Sequence, residues 1–314
     1  MTYPLTALIS DLHGNIPSLK VALADAFARD VRRFVCLGDV VGYGADPRRA
    51  LDWTMALTGL EPDPAGEGTL APHVSADLAA ELGLGEDEVA AIDARLEPGL
   101  CLLGNHEHAL MHVPEDFNPK ARQAIEWTQG ELGNGGRERA AVYWDLLGEL
   151  EPKGLDATAQ YAHGSPRDPL REYVVPRDSQ DPARLAALFA PMTMGVCFVG
   201  HSHVPAVYYE DGRIFLPKNG KGGEPKPADG PYALGVPGTG TAAAPVADDA
   251  PRAIVNVGSV GQPRDGDPRL SYVLFDGHNV TFIRLAYDIA AAARRIVDVP
   301  ELPDYLAERL SRGR

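Results

Sequence analysis

Cysteine is scarce, with only Cys36, Cys101 and Cys197 in 314 residues. An odd count this small supports no disulfide framework, and the three are too far apart in sequence for a zinc cluster. Each sits in a short apolar run, FVCLGD, GLCLLGN and GVCFVGH. That placement predicts buried, reduced thiols in core strands and a cytoplasmic setting. No apolar run is long enough to cross a membrane. The opening MTYPLTALISDLHGN has neither the basic start nor the small-residue cleavage site of a signal peptide, and reads as a strand entering a polar turn. Positive charge is also short: 29 Lys and Arg stand against 44 Asp and Glu, a net −15. Such a surface repels nucleic acid, whose binding rests on neutralising phosphates.

Apolar residues, by contrast, make up 45% of the chain, enough for a large core. The first third repeats one unit, an apolar strand ending in a Gly/Asp/Asn turn and then an amphipathic helix. TALIS leads to Asp11-Leu12-His13-Gly14-Asn15 and a helix over about Pro17–Arg29, for which Asn15 and Pro17 supply start signals. RFVCL leads to Gly38-Asp39 and a helix from about Pro47, and GLCLL leads to Gly104-Asn105-His106-Glu107. This alternation predicts a layered α/β architecture, in which ligand sites gather at the carboxyl ends of strands.

Residues 59–98 read as an insertion of a Pro/Gly/Glu-rich loop and one or two acidic helices. Residues 119–150 read as further helices with apolar spacing through Ile125, Trp127, Val142, Leu146 and Leu147. Strands are expected to end at His163 and His201, and a hairpin to turn at Asp211-Gly212. The segment 217–250 is rich in Gly, Pro, Ala and Lys and nearly free of large apolar residues, the composition of a flexible loop. Three more strands and two helices close the chain.

Five polar clusters fall at these strand ends: Asp11-x-His13, Gly38-Asp39, Gly104-Asn105-His106-Glu107, His163-Gly164 and Gly200-His201-Ser202-His203. Singly each is an ordinary turn. Together they hold five of the nine histidines and could meet at one sheet edge. Two carboxylates, one amide oxygen and four imidazoles suit two divalent ions such as Mn, Fe, Zn or Co. Bound ions would also supply the local positive charge that an acidic chain needs in order to handle phosphate. His73, His108, His112 and His278 lack any such pattern and read as surface or packing residues.

The ordered set DxH, GDxxG, GNHE, HG and GHSH resembles the calcineurin-like metallophosphoesterase superfamily, from Asp11 to about Phe275. The stretch Asn256-Val-Gly-Ser-Val-Gly-Gln-Pro-Arg-Asp-Gly-Asp-Pro-Arg269 resembles its small bacterial phosphodiesterase or diadenosine-tetraphosphatase-like branch. The resemblance implies a four-layer α-β-β-α sandwich of two mixed sheets flanked by helices, as a single domain over 1–314 with insertions at about 59–98 and 217–250. It implies that Asp11, His13 and His203 hold one metal, that Asn105, His163 and His201 hold a second, and that Asp39 bridges them. Mn is the first expectation for the pair, with Fe, Zn, Co or Ni as alternatives. His106 would be the catalytic histidine, protonating the leaving group while a metal-activated hydroxide attacks in line.

The second motif departs from phosphoprotein phosphatases. Where they carry an Asp-Arg pair that supports the histidine and grips phosphate, this chain has Gly42-Tyr43. Gly42 would open space beside the bridged metals, and Tyr43 would offer a face on which a base could stack. Asp46 is a candidate substitute for the missing support, whereas adjacency to His106 gives Glu107 no such role. Arg167, Arg264 and Arg269 are candidates for the phosphate grip. The expected activity is hydrolysis of a small phosphoester, with a dinucleoside polyphosphate first. A serine/threonine protein phosphatase and a catalytically inactive scaffold of the same fold are the alternatives. The expected partner is a small-molecule phosphoester or nucleotide, with no membrane and no nucleic acid.

Overall fold

The computed structural model describes residues 3–112, 117–134, 136–217 and 251–314, and the backbone of 232–233. Strand β1 (Thr6–Ile9) feeds helix α1 (Ile16–Ala28), and β2 (Arg33–Cys36) feeds α2 (Pro47–Thr58). The 59–98 stretch contributes two short acidic helices, α3 (Ala76–Leu82) and α4 (Glu86–Asp93). Then come β3 (Leu100–Cys101), α5 (Asn105–Met111), α6 (Pro119–Gly133) and α7 (Arg137–Glu149). The second half runs β4 (Lys153–Leu155), β5 (Gln160–Ala162), α8 (Pro182–Phe189), β6 (Val196–Val199), β7 (Ala206–Tyr209), β8 (Ile214–Phe215) and β9 (Tyr232–Ala233). It closes with β10 (Ala253–Asn256), β11 (Leu270–Phe275), β12 (Asn279–Leu285), α9 (Ile289–Val297) and α10 (Asp304–Glu308). The segment expected as a flexible loop, 217–250, lies outside the described residues apart from Pro217 and the two residues of β9, whose backbone pairs with β12.

The strands form two mixed sheets, in the orders β3-β2-β1-β11-β12-β9 and β4-β5-β6-β10-β7-β8. Side chains alternate along the central strands, and both faces are covered. Leu8, Val35, Phe198, Val255 and Phe282 meet between the sheets. Ala7, Ile9, Phe34 and Cys36 turn the other way onto α1 and α2, and Cys197, Val199 and Ile254 turn onto α8 through Leu185, Leu188 and Phe189. Burial on both sides explains why TALI, VCFV and AIVN are unbroken apolar runs instead of alternating ones. The result is the expected helix–sheet–sheet–helix layering. All three cysteines are free and buried within it. Among the described residues no helix is long and apolar enough to cross a membrane.

Parallel pairing places the site. β1, β2 and β3 are parallel in the first sheet, and β5, β6 and β10 are parallel in the second. The turns that leave their carboxyl ends meet at one edge of the sandwich. Local sequence starts each helix on cue: the Asn15 side chain accepts the Ser18 N–H at 3.2 Å, and Pro17 occupies the first turn of α1.

Candidate metal centre

Asp11 and His13 follow β1, Asp39 follows β2, and Asn105 and His106 open α5 just beyond β3. His163 follows β5, and His201 and His203 follow β6. Among the described residues, six of the seven non-glycine residues with left-handed backbone lie here: Asp11, His13, Asp39, Tyr43, His201 and His203. That conformation costs an L-residue about 1–2 kcal/mol. It is held by backbone bonds between the two turns, Asp11 N–H to Gly38 O at 3.0 Å and His13 N–H to Asp39 O at 2.9 Å. Strain concentrated in this way, and imposed by surrounding structure, marks a functional site.

The side chains converge in two groups that share Asp39: Asp11, His13, Asp39 and His203 in one, and Asp39, His163 and His201 in the other, with the donor atoms of each group within 4.8 Å of one another. Asn105 joins the second group, its Oδ1 being 3.0 Å from His163 Nε2. Every imidazole in the set spends one ring nitrogen on a backbone carbonyl: His13 Nδ1 on Val41, His163 Nδ1 on Leu37, His203 Nδ1 on Gln262 and His201 Nε2 on Arg171. A carbonyl only accepts, so those nitrogens carry the protons and the inward nitrogens present lone pairs.

The inward contacts are then acceptor against acceptor. His13 Nε2 and His203 Nε2 are 3.3 Å apart, His163 Nε2 and His201 Nδ1 are 3.1 Å apart, and His203 Nε2 is 3.2 Å from Asp11 Oδ1, which accepts no hydrogen bond. Burial drives His13, His201 and His203 well below the usual histidine range and lowers His163 as well, so protonation of the imidazoles does not relieve these contacts. Burial also raises Asp39, aided by the charges of Glu107 and Asp11. A donor set of neutral imidazoles, carboxylates and one amide oxygen fits divalent cations, which would satisfy the inward lone pairs.

His106 is buried beside this cluster, with Nε2 3.9 Å from Asp39 Oδ2. Its Nδ1 has no hydrogen-bond partner. Asp46 does not supply one, because its carboxylate pairs with Arg295. Nor does Gly42 leave open space. A Cβ there would meet His106 Nδ1 at 2.1 Å, so the glycine, at φ 87°, is what lets the imidazole seat. Tyr43 packs against His13 and His106 at 4.6 and 4.4 Å between ring centroids, with the guanidinium groups of Arg264 and Arg309 each 5.8 Å from its ring.

Glu107 does more than adjacency indicated. Fully buried, it accepts the N–H groups of Asp39, Val41 and Gly104 at 2.8, 3.0 and 2.9 Å, pinning the turn that carries Asp39. Burial pushes its carboxyl up to about 7. Gly104 is required beside it, since a Cβ there would meet Asp39 Oδ1 at 2.2 Å.

The cleft above the cluster is walled by Asp39, Tyr43, Asn105, His106, His201 and His203, with Phe117, Asn118, Ala121, Tyr173 and Arg264 at its sides. Arg264 therefore stands where the grip was expected. Its Nη2 donates to Gln262 at 2.9 Å and its buried Nε has no partner. Arg167 and Arg269 do not line the cleft; they pair with Glu172 and Asp267. His73, His108, His112 and His278 do not reach it either. Sequence reading missed Tyr173, Phe117 and Arg309, single residues in unremarked stretches with no repeated motif to flag them.

The model of the calcineurin-like phosphoesterase family matches residues 5–205. A crystal structure of a metallophosphoesterase from Sphaerobacter thermophilus is similar at TM-score 0.67 and 28% identity, over 99% of this chain and 100% of that one. The hypothetical protein PH1004 from Pyrococcus horikoshii OT3, at TM-score 0.61 and 16% identity over 99% and 98% of the two chains, shares the fold. The uncharacterized protein MJ0912 of Methanocaldococcus jannaschii is 27% identical over 319 residues, covering all of both chains. With strand-end motifs, a buried Asp/His cluster and a matching family, this chain belongs to the calcineurin-like phosphoesterases and is a metal-dependent phosphoric ester hydrolase.

Proposed function

We propose that the chain hydrolyses a small phosphorylated molecule at a pair of divalent ions, Mn first, and that a dinucleoside polyphosphate is the leading substrate class. The observation that carries the metal reading is the ring of inward lone pairs, 3.0–3.3 Å apart, around a shared Asp39. Asp11, His13 and His203 would hold one ion and Asn105, His163 and His201 the other. When bound, two such ions supply positive charge for an incoming phosphate and acidify water near neutral pH.

The chain's own residues account for the rest. Glu107 and Gly104 fix the Asp39 turn. Arg264 meets the phosphate from the cleft wall. His106 stands in the wall to protonate the leaving oxygen. Burial and the charge of Arg264 lower its pKa, and a bound phosphate, bringing opposite charge, opposes that shift. Gly42 and Tyr43 stand where phosphoprotein phosphatases carry Asp and Arg, which argues against a phosphoprotein substrate. Three buried thiols suit a cytoplasmic setting.

A turnover screen with Mn²⁺ against diadenosine polyphosphates, bis-nitrophenyl phosphate, nitrophenyl phosphate, mononucleotides and phosphopeptides tests this. The expected order places kcat/KM for dinucleotides and diesters above that for phosphopeptides. A clear phosphopeptide preference overturns the substrate reading.

A further inference from the structure

Tyr173 stands where two cavities meet. One is the cleft over the Asp/His cluster. The other, of about 470 Å³, is lined by Tyr173, Val175, Arg177, Asp178, Asp181 and Arg184, and falls in the roughly 300–1,000 Å³ range of small-molecule sites. The tyrosine ring lies flat on His201, 3.9 Å between centroids and 21° between planes. It nevertheless stays 47% exposed, one of four large apolar side chains left so among the described residues and the one that lines the cleft. One face covers His201, and the rest of the ring borders the two cavities.

The loop beneath the ring is fastened. The Arg171 carbonyl accepts from His201 Nε2 at 3.2 Å. The Glu172 carboxylate accepts from Ser165 at 2.6 Å and from Arg184 at 2.7 Å, and pairs with Arg167. Arg184 also donates to the Tyr173 carbonyl at 3.1 Å. An exposed aromatic side chain on a loop held this firmly, bordering the cleft, has the form of a stacking platform. Tyr43, the residue first expected to stack a base, is wedged between His13 and His106 instead.

We propose that Tyr173 selects substrates by stacking a nucleobase carried on the phosphate in the cleft, with the second cavity giving room beyond the ring. This rests on the proposed function only in taking the cleft as the phosphate site. The test measures binding, by calorimetry in Mn²⁺ buffer, of hydrolysis-resistant methylenephosphonate analogues of AMP and of ribose 5-phosphate to the full chain. Base–aromatic stacking predicts that Tyr173→Ala weakens the adenosine ligand about tenfold or more and the ribose ligand by less than about twofold, and that Tyr173→Phe restores binding. Equal losses on both ligands, no loss on either, or a wild type that binds the adenosine ligand no tighter than the ribose ligand would each overturn the platform. If base selectivity is found while no phosphoester is turned over, the platform stands and the hydrolytic reading fails.

Discussion

On the floor of the cleft, the two aspartates and the five histidines are at most 4% exposed, and five of these seven residues hold left-handed backbone. On the rim, Tyr173 is 47% exposed, and the Glu172 carboxylate beside it pairs with Arg167 and Arg184. The floor is overdetermined. Each imidazole of the two donor groups has one permitted tautomer, and Asp39 is held by bonds to His13 in one turn and to His106 and Glu107 in α5. The rim is held mainly by side chains that can change without unseating the core. Reaction chemistry should therefore be brittle to substitution on the floor, and substrate preference should be adjustable at the rim.

The sharpest break in that contrast is Asp39→Ala. Its carboxylate is shared by both donor groups, so the variant should lose both ions together, and turnover with them. Elemental analysis after Mn²⁺ reconstitution should find about two ions per wild-type chain. Full metal content and activity in Asp39→Ala would reject the shared-ligand site.

Next in size is His106→Ala, which removes a floor residue outside both donor groups. Metal content should hold while kcat falls by about 10²–10⁴. The loss should be greatest with poor leaving groups and smaller with nitrophenolate, which needs little protonation. A uniform loss across leaving groups would exclude proton donation.

Gly42→Ala tests whether the floor is as tightly fitted as it looks. A methyl group 2.1 Å from His106 Nδ1 must push the imidazole aside, and φ 87° costs an L-residue about 1–2 kcal/mol besides. The expected result is a melting temperature lower by a few degrees, retained metal, and turnover reduced by about tenfold or more. An activity like wild type would show that the histidine has another seat.

The same contrast explains what could be read from the chain beforehand. The convergence of the floor was legible because each of its residues follows an apolar strand, and parallel pairing then has to bring those strand ends together. The four-layer fold was legible through the same motifs. Glu107 was misjudged because its partner Asp39 lies 68 residues away, and a hydrogen bond to a backbone N–H leaves no mark on residue type. Arg167 and Arg269 were misplaced because their nearest carboxylates, Glu172 and Asp267, capture them locally. Tyr173 carries no motif at all; only the stack on His201 reveals it.

The smallest effect belongs to the rim. Burial alone would raise the Glu172 carboxyl, but hydrogen bonds from Arg167, Ser165 and Arg184 outweigh it and hold the group at about 2, against an ordinary 4.5. A depressed folded-state pKa means that the ionised form stabilises the fold. That contribution is complete above about pH 4.5 and is lost as pH falls towards 2. Glu172→Gln keeps the shape and removes the charge, leaving Arg167 and Arg184 facing a neutral amide. At neutral pH the variant should melt slightly below wild type, with metal content intact and turnover of nitrophenyl phosphate within a few fold. The gap in melting temperature should narrow as pH is lowered from about 4.5, because wild type is then losing the same charge. If the gap persists unchanged down to pH 3, Glu172 acts through packing, and the ion pairs are not what fastens the loop under Tyr173. If instead Glu172→Gln strips the metals, the rim is as brittle as the floor and the division between them falls.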